Sequence, residues 1–130
     1  MTFSTKKLGD LGERVAAEYL KSKGYQILAK NYIPKFADLN KSEIDIIAKK
    51  TGIITFVEVK AVSGNLNSPF LPQDKVDYLK QRKIIKAAKM YLLEKKLFDY
   101  PWQIDIIALK IDLNTQKAKT WHLENVVSES

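Results

Sequence analysis

The chain has 130 residues, 45% hydrophobic and 28% charged, with a formal net charge of +7 and a pI near 9.5. That length suits one domain, residues 1–130, with an ordered core of about 7–127, and the absence of cysteine excludes disulfides, thiolate metal sites and a cysteine nucleophile. His122 is the only histidine, no apolar run could span a bilayer, and no apolar signal region opens the chain, so the expectation is a cytoplasmic protein, away from membranes, whose positive charge suits nucleic acid.

Leu8, Leu11, Gly12, Val15, Tyr19 and Leu20 fall on one stripe at helical spacing, and Gly24 is a natural stop. A first helix is therefore predicted from about Lys7 to Lys23. Tyr25 to Ala29 reads as a strand, and Asn31 to Ser42 as a loop. Ser42 to Lys49 and Ile53 to Ala61 read as strands joined by a turn at Lys50-Thr51-Gly52. A loop rich in Pro, Gly and Asn runs from Ser63 to Pro72, and a long basic helix from about Asp74 to Lys96. Trp102 to Ile111 is a further strand, Thr120 to Leu123 a short last one, and Ser128 to Ser130 a frayed tail. The order α-β-β-β-α-β-β predicts a mixed sheet flanked by helices.

One sequence occurs almost twice: Glu43 to Ala48 reads EIDIIA and Gln103 to Ala108 reads QIDIIA. The first copy lies in a hairpin. With the loop centred on Thr51-Gly52, Asp45 comes opposite Glu58 and Glu43 opposite Lys60. Ile44, Ile46 and Ala48 then share a core face with Ile53, Thr55, Val57 and Val59. Two carboxylates held opposite each other repel, and call for a compensating cation. Lys60 is one candidate and a hard divalent ion another, since Mg²⁺ prefers oxygen ligands and needs few carboxylates. An ion there can lower the pKa of a water, and a lysine beside it can orient that water or stabilise charge on phosphorus. Asp45 followed on the next strand by Glu58-x-Lys60 is thus a minimal set for cleaving a phosphodiester. The bland alternative is a surface salt bridge between Lys60 and Glu43 or Glu58.

Further motifs add a resemblance. Gly9 to Glu13, Ala17 to Leu20, Lys23-Gly24-Tyr25 and Asn31 look like the N-terminal signature of the YraN-like proteins. Glu43 to Ala48 and Thr55 to Lys60 look like its central signature, and Lys80-Gln81 and Ile104-Asp105 also fit. The YraN-like family is similar to the PD-(D/E)xK, or restriction-endonuclease-like, nucleases, with archaeal Holliday junction resolvases as relatives. The resemblance implies an α/β fold with a mixed four- or five-stranded sheet between helices. It implies Asp45 and Glu58 as ligands of Mg²⁺ or Mn²⁺, with the Val59 carbonyl completing the shell, and Asp45, Glu58 and Lys60 as the catalytic core. Glu13 fits an additional acidic residue of such sites. The resemblance also has Lys80 and Gln81 reaching the site from the long helix. Three positions depart from the family pattern: Ser42 replaces a glycine, Val62 an arginine that would contact phosphate, and the loop from Asn31 to Glu43 is longer.

Lys80, Arg82 and Lys83 can contact phosphates, which positions DNA without reading its sequence; a solvated helix face is the competing reading. In the second copy, Val126 stands where Glu124-x-Lys would need its lysine, so Asp105 reads as structural. Tyr78, Tyr91, Trp102 and Trp121 read as core or interface rather than base-stacking platforms, and His122 as a strand-end surface residue. The expectation is an Mg²⁺-dependent endonuclease acting on DNA. Two alternatives stand beside it: a junction resolvase, which needs a homodimer to cut two strands symmetrically, and a catalytically silent nucleic-acid-binding module.

Overall fold

The computed structural model describes residues 5–35, 43–67 and 78–126, without the side chains of residues 5 and 78–80. Helix α1 (Thr5–Ser22) is followed by strands β1 (Gln26–Tyr32), β2 (Ile44–Lys50) and β3 (Ile53–Ser63). Helix α2 (Tyr78–Glu94) then leads to β4 (Trp102–Asp112) and β5 (Lys117–Leu123). The five strands form one sheet in the order β1-β2-β3-β4-β5, with β3 and β4 parallel and the other neighbours antiparallel. The element order and the single parallel pair give the α/β arrangement with a mixed five-stranded sheet that the resemblance implied. The predicted Ser63–Pro72 loop, the first residues of the predicted basic helix and the tail fall wholly or partly outside the described residues.

Local chemistry sets the ends of these elements. Gly24 adopts a positive φ of 92° after α1. The Gly24 N–H reaches the Lys21 carbonyl and the Tyr25 N–H the Leu20 carbonyl, both at 3.0 Å. This pair of bonds is a Schellman cap, and glycine takes the left-handed position without a Cβ penalty. α2 ends the same way around Lys96 at φ 56°, with the Leu97 N–H bonded to the Leu92 carbonyl at 2.7 Å. No glycine marks that end, so the sequence reading carries the helix two residues too far. Thr51 and Gly52 both have positive φ, as a two-residue type I′ turn requires. The resulting pairs, Lys50 with Ile53 through Ile46 with Val57, are the predicted register.

The sheet separates two apolar layers. Under α1, Ala16, Ala17 and Leu20 pack on Ile46, Ala48, Val57, Ile107, Leu109 and Ile111. Under α2, Ile84, Ala87, Ala88, Tyr91 and Leu92 pack on Ile47, Ile54, Phe56, Ile104 and Ile106. Tyr91 and Trp102 thus belong to the core side, as expected. One expectation fails. Ile44 lies in the α2 layer and Ile46 in the α1 layer, although strict alternation would put both on one face. The alternation breaks at the residue between them, Asp45. A second difference is β5, which starts at Lys117 rather than Thr120. The Asp112 side chain accepts from the Asn114 and Thr115 N–H groups and turns the chain, so the polar Lys117-Ala118-Lys119 already pairs as an edge strand.

Candidate functional site

α1 lies against β3 because residue 12 is glycine. A Cβ there would stand 2.5 Å from the Ala61 Cβ, too close for any real contact. Glycine inside a helix costs about 1 kcal/mol relative to alanine, so the close approach explains why the position is glycine. Glu13, the next residue, is half-buried and turned toward β1 and β2. Asn31 sits near the end of β1 at a φ of 50°, a conformation asparagine tolerates better than most residues. Its side-chain amide donates to both Glu13 oxygens, at 3.0 and 3.2 Å, and to Glu43 Oε1 at 2.8 Å. Glu13, Glu43 and Asp45 each bring a carboxylate oxygen within 4.8 Å of the other two.

Asp45 is the centre of the arrangement. The described β2–β3 pairing ends at Ile46 and Val57. Beyond it, the Val59 N–H donates 2.8 Å to Asp45 Oδ2. The aspartate side chain is also hydrogen bonded to Glu58, as the predicted register required. Burial, first, and the neighbouring Glu58 charge, second, push the Asp45 carboxyl up to about 8. The Val59 N–H opposes the shift, while the charge of Glu13 and the hydrogen bond with Glu58 add to it. Burial and like charge thus disfavour ionisation of Asp45 beside Glu58. Glu58 is only 6% exposed. Lys60, half-buried, shares its sheet face two residues further along β3.

The structure thus gathers Glu13, Asp45 and Glu58, with Val59 tied to Asp45 through its N–H and Lys60 on the next same-face position of β3. The sequence reading missed two members. Glu43, expected opposite Lys60, accepts from Asn31, and Asn31 itself bridges two carboxylates. An asparagine at the end of a strand is the signal that could have found it. In α2, Gln81 is half-buried and Arg82 and Lys83 are exposed, whereas the Lys80 side chain lies outside the described residues.

A second cluster lies on the α1 face, around the second IDIIA copy. Asp105, fully buried, accepts from Gln103 Nε2 and the Asn125 N–H, each at 2.9 Å, and faces His122 Nε2 at 2.7 Å. The other ring nitrogen, Nδ1, is 3.1 Å from the Tyr19 hydroxyl. His122 is therefore not the surface residue expected from its place at a strand end. It ties α1 to β4 through β5. Asp105 reads as structural from the sequence, and these hydrogen bonds lie within the protein; together with His122 and Glu124 it also forms a group whose ligand atoms lie within 4.8 Å of one another.

A family model described as "Uncharacterised protein family UPF0102" matches residues 12–109. A UPF0102 protein of Clostridium perfringens is 42% identical over 112 residues, 86% of each chain. One of Caldanaerobacter subterraneus subsp. tengcongensis is 42% identical over 113 residues, 86% of this chain and 84% of that one. One of Alkaliphilus oremlandii is 38% identical over 120 residues, 92% of this chain and 97% of that one. Among solved structures, Pyrococcus furiosus SfsA in complex with Ca²⁺ is similar, with a TM-score of 0.40 and 13% identity, covering 97% of this chain and 66% of that chain.

Proposed function

The chain belongs to the UPF0102 family, and on that premise we propose that it is a divalent-metal-dependent nuclease acting on DNA. The observation that carries the reading is the Asp45–Glu58 pair, two carboxyls held together at the break in β2 with Glu13 and Glu43 crowded beside Asp45. A strand avoids such a concentration of like charge unless something compensates it. The donors are all oxygens, which suits a hard cation such as Mg²⁺ or Mn²⁺. Asp45 and Glu58 would hold the ion, with the Val59 carbonyl as a backbone ligand and Glu13 as an accessory acid. When bound, such an ion supplies Lewis-acid charge to a phosphodiester and acidifies water.

The chain's own groups supply the rest. A bound cation would favour the ionised form of Asp45, against the burial and the Glu58 charge that raise its pKa. The Lys60 ammonium orients the attacking water and offsets negative charge growing on the phosphoryl oxygens. Arg82 and Lys83, exposed early in α2, and Gln81 and Lys80 beside them, contact the DNA backbone and fix its position. A second reading, a non-catalytic nucleic-acid-binding module, draws on the formal charge of +7, which favours polyanions whether or not the acids do chemistry.

The test is cleavage of labelled single-stranded, duplex, flap and four-way-junction DNAs with Mg²⁺ or Mn²⁺, alongside the Lys60→Ala and Asp45→Asn variants. Cleavage by the wild type and by neither variant supports the nuclease reading and identifies its preferred substrate. Tight DNA binding without cleavage of any member selects the binding module. Cleavage that survives in both variants removes Asp45 and Lys60 from the chemistry.

A further inference from the structure

β5 stands last in the sheet, and among the described residues it pairs with β4 alone. The outward backbone N–H and C=O groups of an edge strand can take up a further strand. Ala118 pairs with Ile111, which packs under α1, so Ala118 faces the α1 side. Lys117 and Lys119, one residue away in either direction, face the other side. Both lysines are exposed. The Lys119 Nζ lies over the Trp121 ring, 5.2 Å from its centroid, a contact that does not neutralise its charge.

A groove of about 480 Å³ runs along the α1 side of this edge. Its apolar walls are Leu11 and Val15 of α1, with Ile111, Leu113 and Ala118 of the β4–β5 hairpin. Leu113 remains 38% exposed there. Arg14 also lines the groove, is exposed, and makes no ion pair among the described residues. Edge lysines commonly guard a strand against further pairing. A guard alone does not call for an open apolar groove beside it. Nor does it turn away every chain. Two copies of β5 set edge to edge would bring their lysines together, and like charges destabilise a sheet. An acidic chain meets attraction at the same positions.

We infer that the outer edge of β5 is a docking site for an extended segment of a partner protein in which acidic and apolar residues alternate. The segment adds a strand to the sheet. Its backbone pairs with the open edge, and its side chains divide between the two faces. The apolar ones enter the groove against Leu11, Val15 and Ala118, and the carboxylates face Lys117 and Lys119. Arg14 at the groove and the formal charge of +7 favour the same acidic partner. No residue of this surface belongs to the acidic cluster, so the inference stands apart from the nuclease reading.

The probe is a heptapeptide alternating glutamate and valine, matched to the seven residues of β5. It is titrated into the full chain at low salt and followed by amide NMR. Saturable shifts are expected from Lys117 to Thr120 and at Leu11 and Val15, with affinity falling as salt rises. Methylating every second peptide nitrogen removes the donors along one edge of the added strand. One of the two methylation phases should abolish binding and the other should spare it. The double variant Lys117→Glu, Lys119→Glu should weaken the peptide about 10-fold or more and gain affinity for a lysine–valine heptapeptide. Ala118→Gln, which puts a polar chain into the groove, should weaken the glutamate–valine peptide. Absence of shifts along β5 overturns the inference. So does binding that is indifferent to methylation, because charge alone would then hold the peptide as it would hold a nucleic acid. A wild-type dimer in sedimentation that the peptide cannot dissociate makes a second copy the occupant, and also overturns it. The methylation arm uses only the wild-type chain, so it decides the matter even if a variant fails to fold.

Discussion

His122 Nε2 lies 2.7 Å from Asp105 Oδ2, and the aspartate is completely buried. The pair sits at the foot of β4 and carries the Tyr19 hydroxyl of α1 on its far side. Removing the imidazole leaves a buried carboxylate with only Gln103 and the Asn125 N–H. His122→Ala should therefore destabilise the fold by about 1–3 kcal/mol, and Tyr19→Phe by about 1 kcal/mol. Urea unfolding measures both, and equal effects would mean that the ring, not its bond to Asp105, matters.

The approach of α1 to β3 makes a second expectation. In Gly12→Ala the new methyl group meets Ala61, so the helix must lift, at a cost of about 1–3 kcal/mol. Glu13 moves with it, away from Asn31. The double variant Gly12→Ala, Ala61→Gly removes the clash and should recover most of the stability. If the double variant is no more stable than the single one, the contact is not what fixes the helix.

The Asp45 carboxyl has a pH signature. Its folded value near 8 lies above the unfolded value of 3.8, so between those limits the folded chain binds the extra proton. Stability gained from that proton is fully present below the unfolded value and is lost as pH rises through the folded one. Without divalent cations, the melting temperature should fall between pH 4 and pH 8 (a window set by those two values). Asp45→Asn should flatten the profile and stabilise the protein at neutral pH by on the order of a few kcal/mol. Mg²⁺ should do the reverse of the proton, stabilising the wild type most at high pH and the variant hardly at all. A wild-type profile already flat in chelator would contradict this.

Asn31 separates two acids that would otherwise face each other. Asn31→Ala keeps both carboxylates but removes the amide that orients them. Metal affinity should drop about 10- to 100-fold, as for other residues that support a ligand from behind. Isothermal titration with Mn²⁺ reads this directly. Unaltered affinity would place the ion elsewhere.

The sequence and the structure agree where local chemistry dictates geometry. Thr51-Gly52 forms a two-residue turn that sets the β2–β3 register from Lys50 with Ile53 to Ile46 with Val57, and Asp45 meets Glu58 just beyond it. Gly24 ends α1 where a left-handed residue is needed. The disagreements have equally specific causes. Strict alternation misplaces Ile44, because the strand changes face at Asp45, and no hydrophobic pattern records a polar residue that does so. Asn31 is inconspicuous in sequence because its role depends on β1 reaching α1, a contact between residues far apart in the chain. The His122–Asp105 bond depends on the β4–β5 register, which pairs His122 with Ile107 and not with Asp105. Lys117 and Lys119 hide an edge strand, since a charged edge and a loop have the same composition.

The β3–β4 pair is the one parallel seam of the sheet, running from Ile54 with Trp102 to Ser63 with Ile111. Every residue placed in the acidic cluster, from Glu13 to Lys60, precedes β4 in the chain. During synthesis the helix and meander that hold the cluster emerge first, joined by short-range contacts, while the seam must wait for α2 and β4 and close a long loop. The nascent chain therefore carries its crowded carboxylates before it has the strand that closes the core beneath them. Divalent cations should accelerate refolding in proportion to how early that crowding forms, which makes the rate of folding, and not only its equilibrium, responsive to the ion.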